Sequence, residues 1–160
     1  MYNISMGEMH YQHTPVMAAE VTEFLQPAAG KVIVDCTLGG GGHTAKLKSQ
    51  NSKVKIIGFD QDHEAIAAAK NNLAGFDNIS YIQDNFSNLN EHIKENIDGF
   101  LFDLGVSSYQ IDAPARGFSL QNDGPLDMRM DKGQKLTAAD IINTWPQQEL
   151  ERIFKEFGEE

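Results

Sequence analysis

The sequence predicts an α/β fold built on a parallel sheet. Three observations carry that expectation. Four short runs rich in Val, Ile and Phe alternate with stretches of helical character, a β-α-β-α-β-α-β series. The first run reads as a buried strand, and the fourth is strongly apolar. A glycine cluster at 39–42 falls where the first strand gives way to a helix. Strands joined through helices run parallel, with right-handed crossovers.

Each element has a local reason. Thr14-Pro15 supplies an N-cap and a proline at the first helical position, so a helix is expected from there to about Leu25. Val16, Ala19, Val21 and Phe24 would give it an apolar surface. Residues 32–36 form a β-branched strand, and a helix follows the glycines from His43 to about Ser49. Residues 53–60 are the second strand. Residues 62–73 form a strong helix, with Asp62 as its cap and Ile66, Ala69 and Leu73 on one face. Residues 79–82 are the third strand, 86–96 a short helix and 97–104 the fourth strand. Residues 105–135, rich in Gly, Ser, Asp and Pro, are too long for an ordinary connector, so they are functional or part of an insertion. Helices are expected from Thr137 to about Thr144 and from Pro146 onward. The last carries Leu150, Ile153, Phe154 and Phe157 on one stripe, with Gly158 as its cap.

Composition excludes several classes. The chain has 160 residues, which suits one domain or one domain plus the start of another. With 41% hydrophobic residues it is globular rather than disordered. Its one cysteine, Cys36, excludes a disulfide framework and fits a reducing compartment. No apolar run approaches the roughly 18 residues of a membrane span, and the first twelve residues lack the features of a secretory signal. The net charge of -10 argues against a non-specific nucleic-acid binder, while leaving room for an enzyme with a local basic patch. The charge is uneven. Residues 31–59 carry +4, whereas residues 60–103 carry -7, with many of the acids near strand ends and turns. Ligand sites of open α/β sheets form there. Solvated loops are the plainer account of most of these acids.

The segment from Asp35 to Thr44 (DCTLGGGGHT) is the strongest chemical signal. Glycines let the backbone approach a ligand and adopt positive φ. The dinucleotide fingerprint would need glycine at position 44, and a phosphate-binding P-loop would need a Lys-Ser/Thr pair. Neither is present. The pattern D-x-x-x-G-x-G at Asp35, Gly39 and Gly41 resembles that of S-adenosylmethionine-dependent methyltransferases. Such a cofactor is cationic at its sulfonium and amino groups, so acidic neighbours favour it. Asp60 ends the second strand, 21 residues after Gly39, where an acid accepts ribose hydroxyls. Asp84, followed by Phe86, suits a polar edge contact and an aromatic face for adenine. Each acid alone reads equally well as a helix cap or a solvated loop; three strand-end sites in succession favour a ligand. Asp103 ends the fourth strand, where amino-group methyltransferases hold a polar acceptor for the target amine, and it is the catalytic candidate. Ordering of the following Gly-Ser turn is its plainer role. Arg116 and Arg129 suit phosphate or a splayed base, or equally pairing with Asp112, Asp127 or Asp131. Met128 and Met130 are expected to fill a core gap. Trp145 and the Phe157 stripe are expected to pack within a helical domain. His10, His13, His63 and His92 show no ligand spacing with Cys36, so no metal is expected.

Taken together, HTPV (13–16), DCTLGGGGH (35–43), DLGVSSYQ (103–110), RGFS (116–119) and GPLDMRMD (124–131) resemble the ribosomal RNA small subunit methyltransferase H family, also called MraW. The resemblance runs from about residue 10 to the last residue. It implies a class I S-adenosylmethionine-dependent methyltransferase fold, Rossmann-like and interrupted by a helical domain. It implies methyl transfer to N4 of a cytidine in the decoding region of 16S rRNA, within the small ribosomal subunit, by a cytoplasmic enzyme. Motif by motif, Gly41, Gly42, His43, Asp60, Phe86, Asp103 and Gln110 would contact the cofactor. Tyr109 stands where that family often has proline, which leaves Gln110 in place. The alternatives are another substrate on the same cofactor domain, or a cofactor-binding fragment without turnover. The domain expectation is a cofactor-binding half at 1–109, then an irregular segment and the start of a helical insertion at 110–160. Four strands, where this fold class usually builds seven, mark the sheet as incomplete and the chain as an N-terminal portion. The fourth strand would then leave an apolar edge open to self-association.

Overall fold

The computed structural model describes residues 15–158. His10, His13 and the Thr14 cap lie outside the described residues. By its internal contacts the chain divides into two units, one ending at Gly105 and the other starting at Val106.

The first unit is a parallel four-stranded sheet with flanking helices. Its elements are α1 (Ala18–Leu25), β1 (Val32–Asp35), α2 (Gly42–Gln50), β2 (Lys55–Asp60), α3 (His63–Asn72), β3 (Ile79–Gln83), a 3-10 turn at Phe86–Asn88 leading into α4 (Leu89–His92), and β4 (Gly99–Leu101). The strand order is β3-β2-β1-β4. Asp35 lies level with Gly58 on β2 and Leu101 on β4, and Asp60 lies level with Gln83 on β3.

The two faces of the sheet follow the alternation of β1 and β2. Ile33 and Ile56 pack with Leu47 and Val54, joined by Leu25 and Ile79. Val34, Cys36, Ile57 and Phe59 face the other way, onto Phe86, Leu89, Ile93 and Ile97. Leu38 joins Ile66, Ala69 and Leu73 of α3 in a third cluster. Helices α2 and α3 thus cover one face and α4 the other, as right-handed crossovers on either side of β1 require. Lys48 is buried in this layer, and its ammonium group donates to the carbonyls of Ser52 at 2.5 Å and Val54 at 2.8 Å. Burial pulls its pKa down.

Several boundaries differ from the sequence expectation. Helix α1 starts at Ala18, because Met17 adopts a left-handed conformation with φ 53°. Phe24 and Val16 are exposed rather than packed. Strand β2 starts at Lys55, since Asn51 holds Lys53 and Val54 in a turn. The helix expected over 86–96 is a 3-10 turn and four α-helical residues, and Ile93 returns to an extended conformation. Strand β4 is three residues long rather than eight, because β1, its one strand neighbour, is itself only four residues long. The Asp62 cap is present, accepting from the N–H of Glu64 at 3.0 Å.

The second unit holds α5 (Ser108–Asp112), a 3-10 turn at Pro114–Arg116, α6 (Ala138–Thr144) and α7 (Gln147–Phe157). Capping boxes Ser107/Gln110 and Thr137/Asp140 open α5 and α6. The irregular segment is held by two arginines. Arg116 is buried and donates to the carbonyls of Arg129 and Met130, each at 3.0 Å. Arg129 grips Asp127 with two bonds of 2.7 Å and donates to the carbonyls of Lys132 and Gln134. That bidentate pairing drives the Asp127 carboxyl down to about 2. Both arginines therefore serve this fold, and Arg116 is not presented to phosphate. Met128 is half-exposed with φ 56°, so it fills no core gap. On α7, Leu150 and Ile153 are half-buried while Phe154 and Phe157 are exposed, so only part of the expected stripe is covered among the described residues. Gly158 has φ -97° and gives no left-handed cap.

No helix of the described residues is long and apolar enough to cross a membrane, and no group of three His, Cys, Asp or Glu residues stands ready for a metal ion.

Candidate active site

The order β3-β2-β1-β4 creates a switch point beside β1. The chain leaves β1 toward β2 through α2, and returns to its other side through β4. In open parallel sheets the crevice for ligands lies at the carboxyl ends of the strands at such a point. The candidate residues of the first unit come from those ends.

The loop after β1 is fixed on several sides. The N–H of Leu38 donates to the Phe59 carbonyl at 2.8 Å, and the Asn72 amide donates to the Gly40 carbonyl at 2.9 Å. Gly41 has φ 85°, and a Cβ there would lie 2.6 Å from Leu73 Cδ1. Only glycine lets α2 start this close to α3. His43 and Thr44 are buried in the first turn of α2.

Asp35 sits beneath this loop and is 1% exposed. It accepts from Thr44 Oγ1 at 2.8 Å and from the Thr37 N–H at 3.3 Å. Burial pushes its carboxyl up to about 6. The Thr44 and Thr37 bonds oppose that rise, and the nearby charges of Asp60 and Asp103 add to it. Burial, and then Asp35, push the Cys36 thiol up to about 12, so it is not a nucleophile here.

Asp60 ends β2 half-buried. One of its oxygens accepts from the Gly39 N–H at 2.8 Å, and the other accepts from the Asp62 N–H at 2.9 Å. Asp84 follows β3, and its N–H reaches the Asp60 carbonyl at 3.1 Å. Its side chain accepts from His92 at 2.6 Å, Asn85 at 2.7 Å and Asn88 at 2.9 Å, and these bonds hold its carboxyl below the ordinary range. Asp84 is therefore the hub of the turn into α4, more engaged than a free adenine contact would be. Phe86 meets Phe102 edge to face at 5.4 Å.

Asp103 follows β4 with its side chain 43% exposed, and His43 Nε2 lies 3.5 Å from its Oδ2. The Asp103 N–H donates to Thr37 Oγ1 at 2.7 Å. The structure thus links Asp35, Gly39, His43, Asp60 and Asp103 around one loop, with Asp84 attached through Asp60. Gln110 lies in the second unit, buried, where its Oε1 accepts from the Ser107 N–H at 3.0 Å. It closes the capping box that opens α5.

Sequence reasoning missed Thr37, Thr44, Asn72 and His92. None stands at a strand end with a charge, and only the folded chain shows their partners. A threonine two residues after a strand-end acid is the nearest sequence signal for Thr37.

Known structures with this arrangement define the class. A Clostridium thermocellum protein assigned as an rRNA methylase matches with a TM-score of 0.52 and 25% identity, over 60% of this chain and 54% of that one. An rRNA methylase from Streptococcus thermophilus matches with a TM-score of 0.51 and 26% identity, over 59% and 58%. The fold is that of the class I S-adenosylmethionine-dependent methyltransferases. Within that class the chain belongs to the MraW methylase family, whose family model matches residues 10–160. Curated relatives named ribosomal RNA small subunit methyltransferase H include those of Carboxydothermus hydrogenoformans and Geotalea uraniireducens. The first is 46% identical over 95% of this chain and 50% of its own length; the second is 48% identical over 97% and 51%. The chain spans about half the length of the curated relatives it matches.

Proposed function

We propose that this chain binds S-adenosylmethionine and belongs to a cytoplasmic enzyme that methylates the exocyclic N4 amine of a cytidine in the decoding region of 16S rRNA. The observation that carries this reading is the glycine loop tied to Asp60 on one side and Asp103 on the other, in a member of the MraW methylase family. The chemistry of the site suits the cofactor. Asp60 and Asp103 raise the Asp35 pKa, so the carboxylates repel one another, and a bound cation relieves that repulsion.

In this reading Gly39, Gly41, Gly42 and His43 shape the cofactor cradle, Asp60 accepts the ribose hydroxyls, and Phe86 lies against the adenine. Asp84 supports the adenine side through its turn. Asp35 contributes charge and loop geometry from below rather than direct contact. The bound cofactor supplies an electrophilic methyl group on sulfur. A cytidine amine is a weak nucleophile because its lone pair is delocalised into the ring, so alignment dominates the rate. The Asp103 carboxylate accepts from the N4–H and stabilises the charge that develops on nitrogen. The N4 proton leaves after the methyl has arrived and passes to solvent water, so no strong base is required. Among the described residues β4 pairs with β1 alone, and Phe100 and Phe102 at this strand are half-exposed, which supports association with a second copy; sedimentation as a monomer at all concentrations refutes that part.

The test pairs two measurements on this chain. Calorimetric titration with S-adenosylmethionine reads binding. Transfer of labelled methyl to small ribosomal subunits, followed by nucleoside digestion, reads the product. Label in N4-methylcytidine supports the full reading. Binding without transfer reduces it to a cofactor-binding unit, and transfer to free metabolites alone refutes the rRNA assignment.

A further inference from the structure

We infer that Thr37 is a positioning residue that acts through Asp103. The inference rests on the proposed role of Asp103 at the cofactor.

Residues 37 and 103 are 66 positions apart, and the switch point brings them together across the sheet. Asp103 is held at two places. Its backbone N–H donates to Thr37 Oγ1 at 2.7 Å, and its carboxylate lies 3.5 Å from His43 Nε2. Thr37 is anchored in turn, because its own N–H donates to Asp35. Asp35 accepts from Thr44, the neighbour of His43 in the first turn of α2. A ring therefore runs from Asp35 through Thr37, Asp103, His43 and Thr44 back to Asp35.

The ring has a physical purpose. Asp103 is the least buried of its members and lies past the last paired residue of β4, Leu101. No ladder bond of β4 reaches it. Without Thr37, only the loose contact with His43 would fix its direction. A carboxylate that must meet a ligand within a few tenths of an ångström needs such outer support. The hydroxyl matters as an acceptor, so serine satisfies the role and valine, of similar shape, does not.

A double-mutant cycle on cofactor affinity tests this without requiring turnover. S-adenosylmethionine is titrated calorimetrically into wild type, Asp103→Asn, Thr37→Val, Thr37→Ser and the Thr37→Val/Asp103→Asn pair. The expected losses are about tenfold for Asp103→Asn and about three- to tenfold for Thr37→Val, with Thr37→Ser within about twofold of wild type. In the pair the loss equals that of Asp103→Asn alone, because Thr37 acts through that side chain. Multiplying losses overturn the inference, as does Thr37→Ser falling as far as Thr37→Val. If the valine variant does not fold, Thr37→Ser is compared with wild type directly, and a loss of more than about threefold overturns the inference. Wild-type affinity in Asp103→Asn removes the role of Asp103 itself, and the inference falls with it. Loss in Asp103→Asn with none in Thr37→Val refutes the inference alone.

Discussion

Replacing Asp35 by Asn isolates the cost of the buried carboxylate. In the unfolded chain this group ionises at its ordinary 3.8, whereas in the folded chain it holds its proton until about pH 6. Between those values the folded state binds more protons, so stability falls as pH rises. Once both states are ionised the penalty is about 3 kcal/mol, at about 1.4 kcal/mol for each tenfold change in proton affinity. About 2 kcal/mol of it develops between pH 4.5 and 7.5, because part is already present at the lower value. Asparagine keeps an oxygen that accepts from Thr44 or Thr37 and carries no charge. The charge-assisted bonds to the carboxylate are already contained in the folded-state value of about 6, so their loss adds no further pH dependence. The stability of Asp35→Asn minus that of wild type should therefore rise by about 2 kcal/mol from pH 4.5 to 7.5. Urea unfolding of both proteins at the two pH values, followed by circular dichroism, measures it. A difference that is constant with pH, or that moves the other way, refutes the reasoning.

Four further outcomes follow from the same geometry. Affinity for S-adenosylmethionine should rise from pH 5 to 7 as Asp35 ionises, and this dependence should flatten in Asp35→Asn; calorimetry across that range checks both. Asp60→Ala removes the acceptor of the Gly39 and Asp62 N–H groups and should weaken cofactor binding by about tenfold or more, while unchanged affinity in a titration sinks the ribose assignment. Gly41→Ala forces a side chain onto Leu73 at positive φ and should lower stability by about 2 kcal/mol, read as a drop in the urea midpoint. Arg129→Ala removes the two guanidinium bonds to Asp127, whose contribution is present above pH 3.8 and is lost as pH falls toward 2. The variant should be less stable than wild type at pH 7, and the gap should narrow in melts near pH 3.

Much of this protein is written in local signals. The alternation of β-branched runs with helical stretches predicts all four strands, because side-chain periodicity is a property of neighbouring residues. Asp62 caps α3 as its place at the head of that helical stretch implies, accepting from the Glu64 N–H. The glycine loop and the acids at 35, 60, 84 and 103 are legible because ligand chemistry concentrates at strand ends. Other features depend on residues far apart in the chain. The strand order β3-β2-β1-β4 is a matter of long-range pairing, and it alone brings Asp103 to Thr37 and His43. Burial decides that Asp35 is a raised, internal carboxyl and that Arg116 serves backbone carbonyls rather than phosphate. Helix α4 and strand β4 are shorter than their composition implies. A hydrophobic pattern says that a face is to be covered; only the packed chain says how much of it finds a partner.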